Sequence, residues 1–292
     1  MKSIILLLLA SLMLTRISFV ISEKNIGVIW NGLGCVDDVL QKTALSPMSY
    51  RVLFPLLLKV IPKEFRLICY FFLHFLGIFL VLLTCNYFFG LQTSMILSLL
   101  IPFTIRYDYW DWIPELGAII SCASGNVFAA VIWTLAASTS RETSLALPVV
   151  WATSGHDPKI SILLLIIVFS VMYMVRKWQG KKEKYCESIM IDRNGKELKE
   201  WLKFSLPPIK LSKETWQNPL LQIYKFKSIF DDMSITVLLT IASMFAISHF
   251  GLFYSIPIMM FLSAGWIFAI SRETRVFTPI LFWISLWVSS IT

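Results

Sequence analysis

Charge is scarce in this sequence. Asp, Glu, Lys and Arg together make up 15% of its 292 residues, whereas 57% are hydrophobic and mean hydropathy is +0.72. A soluble domain carries about 25% charged residues, so a soluble enzyme is excluded and an integral membrane protein is expected. At about 20 residues per crossing, the length reads as one all-α membrane domain over residues 1–292, a polytopic transmembrane bundle of about 8–10 spans. Cysteine is scarce too. Cys35, Cys69, Cys85, Cys122 and Cys186 are scattered and odd in number, with no Cys-x-x-Cys pair. That excludes a disulfide framework and a cysteine metal site and leaves small core residues. No P-loop, Gly-x-Gly-x-x-Gly or Ser-His-Asp set is present, and His74, His156 and His249 stand alone. His74 falls inside a span, where a hydrogen bond between helices is expected of it. His156-Asp157 reads as a turn pair. Negative charge is the scarcer sign, 18 acidic against 26 basic residues, a net +8. This is the positive-inside bias of membrane proteins, and it also favours anionic lipids and phosphate-bearing substrates. No soluble basic face suits a nucleic-acid partner.

What is present is a series of apolar runs separated by short polar knots. The run Ile4–Leu14 continues past Arg16 to Ile21. It lacks an Ala-x-Ala cleavage site, so an uncleaved first span is expected rather than a signal peptide. Residues 22–64 form a first outer loop, and within it Tyr50–Ile61 reads as an amphipathic juxtamembrane helix. Phe65–Phe89 is a long span, Gly90 a tight turn and Leu91–Ile105 a shorter span. Leu116–Ser138 reads as one span with Gly125-Asn126 inside it. Ser144–Thr153 is half a span or re-entrant, and Ile160–Val175 spans. Residues 176–233 are a lysine-rich aqueous loop, and three closing spans follow at Ser234–Phe250, Ile256–Ile270 and Phe277–Ile291. With the basic loop inside and Ser144–Thr153 crossing, the first loop and Arg106–Glu115 lie outside, while Arg141-Glu142 and Arg272–Arg275 lie inside. If Ser144–Thr153 is re-entrant, the second half inverts.

Asp37 and Asp38 are adjacent acids beside a greasy segment, which is costly without a partner. They are the candidate catalytic residues, with Asp37 favoured as the acting base. A carboxylate there could take a proton from an attacking hydroxyl, and partial desolvation would raise its pKa towards a useful value. The alternatives are a solvated loop acid or an N-cap for Val39-Leu40. The candidate substrate-binding residues are Tyr50, Arg51, Arg106, Asp108, Asp111, Glu115, Arg272 and Arg275. Arg51 and Arg106 can grip a phosphate through two hydrogen bonds. The knot Arg106–Glu115 mixes Tyr107, Tyr109, Trp110 and Trp112 with three acids, which suits a sugar: rings stack on its apolar faces and carboxylates accept its hydroxyls. An interfacial aromatic belt is the plainer reading. Asp108 and Asp111 could hold a divalent metal, though an oxygen-ligand site needs more convergent groups. Ser-Arg-Glu-Thr occurs at Ser140 and again at Ser271, each with a proline eight positions on, Pro148 and Pro279. Arg141-Glu142 reads as a pair that neutralises itself at a span edge. Arg272 and Arg275 exceed Glu273 in charge and so bind headgroups better.

The set Asp37, Asp38, Ser46-Pro47, Tyr50-Arg51 and Pro55 resembles the first outer loop of GT-C-type integral membrane glycosyltransferases, the mannosyltransferase-like members included. Arg106–Glu115, Arg141-Glu142 and Glu273–Arg275 fit the polytopic members that use polyprenyl-phosphate sugars. The chain is shorter than those members and lacks their soluble C-terminal domain. The resemblance implies a GT-C-like fold. It also implies inverting transfer of a sugar from a polyprenyl-phosphate donor by an Asp base, in cell-envelope polysaccharide synthesis at the inner membrane, or at the ER membrane in a eukaryote. No cofactor is certain. The alternatives are a non-catalytic transporter or flippase-like protein for lipid-linked sugars, and a structural membrane subunit. A transporter should place its ionisable groups near mid-membrane, whereas these acids cluster at span ends.

Overall fold

The computed structural model describes residues 2–26, 36–37, 39–42, 52–104, 112–180, 232–268 and 274–292. Among the described residues, all regular structure is helical. The described α-helices are α1 (Lys2–Ile26), α2 (Leu53–Lys59), α3 (Arg66–Leu100), α4 (Trp112–Ser124), α5 (Val127–Ser138), α6 (Leu147–Thr153), α7 (Pro158–Gln179), α8 (Asp232–Phe268) and α9 (Leu281–Ile291). Tighter 3-10 turns lead into α3, α6 and α9 at Lys63–Phe65, Glu142–Ala146 and Thr274–Ile280. Among the described residues, three stretches are long and apolar enough to cross a membrane: Lys2–Phe19, Lys63–Phe103 and Pro158–Gln179.

Two of the helices are hairpins. Gly90 takes φ 87° and ψ 165° inside α3, and Gly251 takes φ 77° and ψ 166° inside α8. A side chain strains at such angles, so glycine is what lets the chain turn there. The reversal is visible in the hydrogen bonds. Ser94 Oγ donates to the Leu82 carbonyl at 2.8 Å, although residues twelve apart in a straight helix lie about 18 Å apart. Ser255 Oγ likewise reaches the Ile247 carbonyl at 3.0 Å. The expected turn at Gly90 is therefore present.

The expected single span Leu116–Ser138 is not. The chain reverses within it, between α4 and α5. Gly125 has φ 74°, and the Asn126 side chain caps α5 by accepting from Ala129 N–H at 2.9 Å. A left-handed glycine followed by an N-capping Asn both ends one helix and starts the next. The α4/α5 pair packs closely because Gly117 has no side chain: a Cβ there would fall 2.5 Å from the Trp133 indole. The juxtamembrane helix is shorter than expected. It occupies α2, with Phe54, Pro55 and Leu58 buried and Leu56 and Leu57 exposed.

α4 is the central element. Trp112 to Cys122 are all buried, as expected of a helix apolar all round. It packs on α3, α5, α6 and the 3-10 turn before α9. α1 lies on α3 through a stripe of small polar residues, Ser11, Thr15 and Ser18. Each hydroxyl donates to the carbonyl four residues back, so it can be buried without an orphaned donor.

The ends of the helices gather on two faces. One holds the hairpin turns: Gln92 Nε2 bonds Thr292 Oγ1 at 2.6 Å, Ser290 meets His249 at 3.0 Å, and His156 Nε2 meets the Ala123 carbonyl at 3.1 Å. His156-Asp157 does form a turn, in which Asp157 caps α7. The opposite face carries the first loop. There Val52 N–H donates to the Thr139 carbonyl at 2.9 Å, and Gln179 Nε2 donates to the Val39 carbonyl at 3.0 Å. Val39, Val52, Val171 and Val175 close a small apolar cluster beside these bonds.

Candidate functional site

On the first-loop face, Asp37 sits between two cations. Its Oδ1 accepts from Arg66 Nη1 at 2.9 Å, and its Oδ2 lies 3.0 Å from Lys63 Nζ. Arg66 is the first residue of α3 and also donates from Nε to the Ile61 carbonyl at 3.2 Å. The Arg66 and Lys63 hydrogen bonds hold the Asp37 carboxyl below its ordinary value of 3.8. This corrects the expectation of a raised pKa: charge pairing outweighs desolvation at a carboxylate that keeps about a third of its surface in solvent.

From Arg66 a face of α3 runs inwards at helical spacing through Tyr70 to His74. Tyr70 lies against Phe54 and Phe19, with ring centroids at 4.7 Å and 5.3 Å. His74, 2% exposed, meets Tyr70 at 6.0 Å and the Trp112 indole edge-on at 6.2 Å. The expected interhelical hydrogen bond at His74 is absent, since neither ring nitrogen has a partner among the described residues. The ring is held by aromatic contacts instead.

One turn beyond Trp112 on α4 is Glu115, 1% exposed. Its Oε2 accepts from Arg141 Nη1 at 3.0 Å, while Oε1 has no partner among the described residues. Trp112 Nε1 and Thr143 Oγ1 are unpartnered as well. Each such buried group costs about 1–3 kcal/mol, so a neighbourhood holding several of them is expensive to keep.

The level of this pair follows from the helix rise. His74 is eight residues and Gly77 eleven residues along α3 from Arg66, about 12 Å and 16 Å at 1.5 Å per residue. A Cβ on Gly77 would fall 2.9 Å from Ile113, so the start of α4 lies level with these residues. The helices explain why. Residues 66–89 extend about 36 Å, whereas the 12 residues of α5 give only about 18 Å. On the first-loop side α5 therefore ends below the start of α3.

This placement corrects one further expectation. Arg141 was expected on the face opposite the first loop. The extra reversal at Gly125-Asn126 instead brings it to the first-loop side, where it pairs with Glu115. Asp37 and Glu115 do share one side, as expected of the two acidic segments. Asp38, Tyr50, Arg51, Arg106, Asp108, Asp111 and Arg272 lie outside the described residues, as does the side chain of Arg275, and so does most of the 176–233 loop. Among the described residues no three His, Cys, Asp or Glu side chains cluster as a metal site. Cys85 and Cys122 are buried free thiols, as expected of core residues.

Arg66, Lys63 and His74 did not emerge as site residues from sequence. The available signal was the Arg66-Tyr70-His74 spacing, which aligns three polar groups on one face of an otherwise apolar helix. Comparison with protein-family models, curated proteins and solved structures found no match.

Proposed function

We propose that the chain is a multi-pass membrane glycosyltransferase of GT-C-like design. It moves a sugar from a polyprenyl-phosphate carrier to a lipid, glycan or protein acceptor. The observation that carries this reading is the Asp37 carboxylate held between Arg66 and Lys63. It lies at the end of an apolar stretch long enough to cross a membrane. Large apolar side chains exposed along α1 and α7, such as Leu9, Leu12, Ile166 and Phe169, suit lipid contact.

In the reaction the acceptor oxygen bonds the anomeric carbon, and the bond from that carbon to the phosphate oxygen breaks on the opposite side. The polyprenyl phosphate leaves with the bonding electrons, and the acceptor proton passes to a carboxylate. Lys63 and Arg66 stand where a lipid phosphate would need countercharge. The two cations on Asp37 make it a weak base, so it serves to orient them, and the base role falls to its neighbour Asp38.

A second reading has its own observation. Glu115 and Arg141 pair at a level well inside the long helix, where ionisable residues mark transport pathways. A lipid-linked-sugar transporter would use them so.

The test is turnover by purified full-length protein in nanodiscs, given polyprenyl-phosphate hexoses and candidate acceptors. Asp38→Asn is expected to lower turnover about 10²–10⁴-fold. Full turnover by the Asp37→Asn/Asp38→Asn double variant would sink the base assignment. Carrier movement across the bilayer without sugar transfer would favour the transporter.

A further inference from the structure

We infer that the first-loop face lies on the cytoplasmic side of the membrane and binds the anionic headgroups of phospholipids there. This rests on the membrane reading alone and is independent of the glycosyltransferase reading.

The two faces differ in what joins the helices. Residues 66–89 extend about 36 Å, enough to carry the chain across a hydrocarbon core of about 30 Å, so the faces stand at its two edges. Short reversals at Gly90, Gly125, Gly155 and Gly251 close the turn face. The longer polar segments belong to the other face. Val52 N–H meets the Thr139 carbonyl and Gln179 meets the Val39 carbonyl, so the first loop, the end of α5 and the end of α7 share it. α8 starts at Asp232, about 28 Å by helix rise from its Gly251 turn. The lysine-rich segment 181–231 therefore leaves and rejoins the helices on the first-loop face. The expected placement of the first loop and this basic segment on opposite sides is corrected, and the reversal at Gly125-Asn126 is the cause.

The basic residues follow this division. Of the 26 Lys and Arg residues, Lys2 and Lys159 stand at turn-face ends of α1 and α7. The others belong to the first-loop half of the helices or to segments that begin and end there. Loops under about 60 residues orient a membrane protein by their Lys and Arg content, and the basic side is cytoplasmic.

The described part of this face is also built to sit among headgroups. Helix α2 and the turn after it expose Leu56, Leu57, Val60 and Phe65, interleaved with exposed Lys59 and Lys63. Apolar side chains of this kind seat among acyl chains while the lysines reach up to phosphates. At the end of α7, Arg176 and Lys177 are exposed beside Trp178, and Lys42 Nζ lies 5.7 Å from the Trp178 ring. A Trp with flanking cations is an interfacial anchor. A soluble anion would use the cations and gain nothing from the exposed apolar residues, whereas an acidic lipid uses both. In this orientation Asp37, Arg66 and Lys63 face the cytoplasm, which fixes the side on which the proposed transfer meets its donor.

The test has two arms. Full-length protein carrying Cys35→Ser and Cys186→Ser receives either Lys59→Cys or Lys159→Cys, and a membrane-impermeant maleimide is applied to spheroplasts of an expressing bacterium. Lys159→Cys is expected to label in intact spheroplasts, and Lys59→Cys only after permeabilisation. Any other pattern overturns the orientation. In the second arm, spin-labelled phosphatidylglycerol and phosphatidylcholine report lipid association with the protein in vesicles. The wild type is expected to favour phosphatidylglycerol by at least about fivefold at low salt, and less as salt rises. Lys42→Gln/Lys59→Gln/Lys177→Gln is expected to bring that preference to within about twofold. Equal association of both lipids with the wild type would overturn the headgroup site, as would a preference undiminished in the triple variant. Loss of the preference on adding inorganic phosphate, but not chloride at matched ionic strength, would show a soluble-anion site and overturn the lipid assignment. Absence of sugar transfer bears on none of these outcomes.

Discussion

Two carboxylates on one side of this molecule have opposite settings. Asp37 has two cations and keeps part of its surface in solvent. Glu115 has one described cation contact and almost no exposure, and one oxygen is left over. An exposed ion pair is worth about 0–1 kcal/mol, because water screens it and its side chains lose freedom. A buried pair must overcome desolvation, and losing one partner strands the other charge. The first arrangement suits an adjustable grip at a surface. The second is costly and incompletely satisfied.

The largest effect should come from breaking the buried pair. Arg141→Met is expected to destabilise the protein by about 3–5 kcal/mol, read as lowered thermal stability in detergent. Adding Glu115→Gln to it should recover most of that loss, because the stranded charge is gone. A double variant as unstable as the single one would mean that Arg141 acts through packing. Next in size is Gly77→Ala, which forces a methyl to 2.9 Å from Ile113. A cost of about 1–3 kcal/mol is expected, read as lowered thermal stability in detergent. Unchanged stability would show that α3 and α4 can part at this level. Lys63→Ala should be milder, at or below about 1 kcal/mol, and should show mainly as weaker, more salt-sensitive binding of bare polyprenyl phosphate. A large stability loss would erase the contrast between the two carboxylates.

The smallest effect is the acid response of Asp37. Its folded pKa is depressed below 3.8 by Arg66 and Lys63. Its stabilising contribution is therefore complete above about pH 4 and fades as pH falls through the lowered value. The stability difference between wild type and Asp37→Asn should be flat at neutral pH and shrink only in that acidic window. A difference that changes between pH 5 and 7 would contradict the pairing.

Composition and the apolar runs made the helical character legible, and Gly90 announced its own reversal. Gly125-Asn126 was equally plain as a chemical signal. It was read through because the apolar residues on either side add up to one span's length, and hydropathy does not record direction. Missing that reversal placed Arg141 on the wrong face and hid its pairing with Glu115. Glu115 was visible as a polar residue in an acidic-aromatic knot. Its burial was not, because that depends on α4 packing at the centre of the helices around it.

Residue chemistry along the chain accounts for the helices, their glycine-marked turns and the supply of acids and cations near helix ends, since these are local preferences of backbone and side chain. Which carboxylate meets which cation is not local. Arg66 reaches Asp37 across 29 positions and Arg141 reaches Glu115 across 26. Those meetings depend on which helices reverse and how far each extends, and packing of α4 at the centre is what settles them.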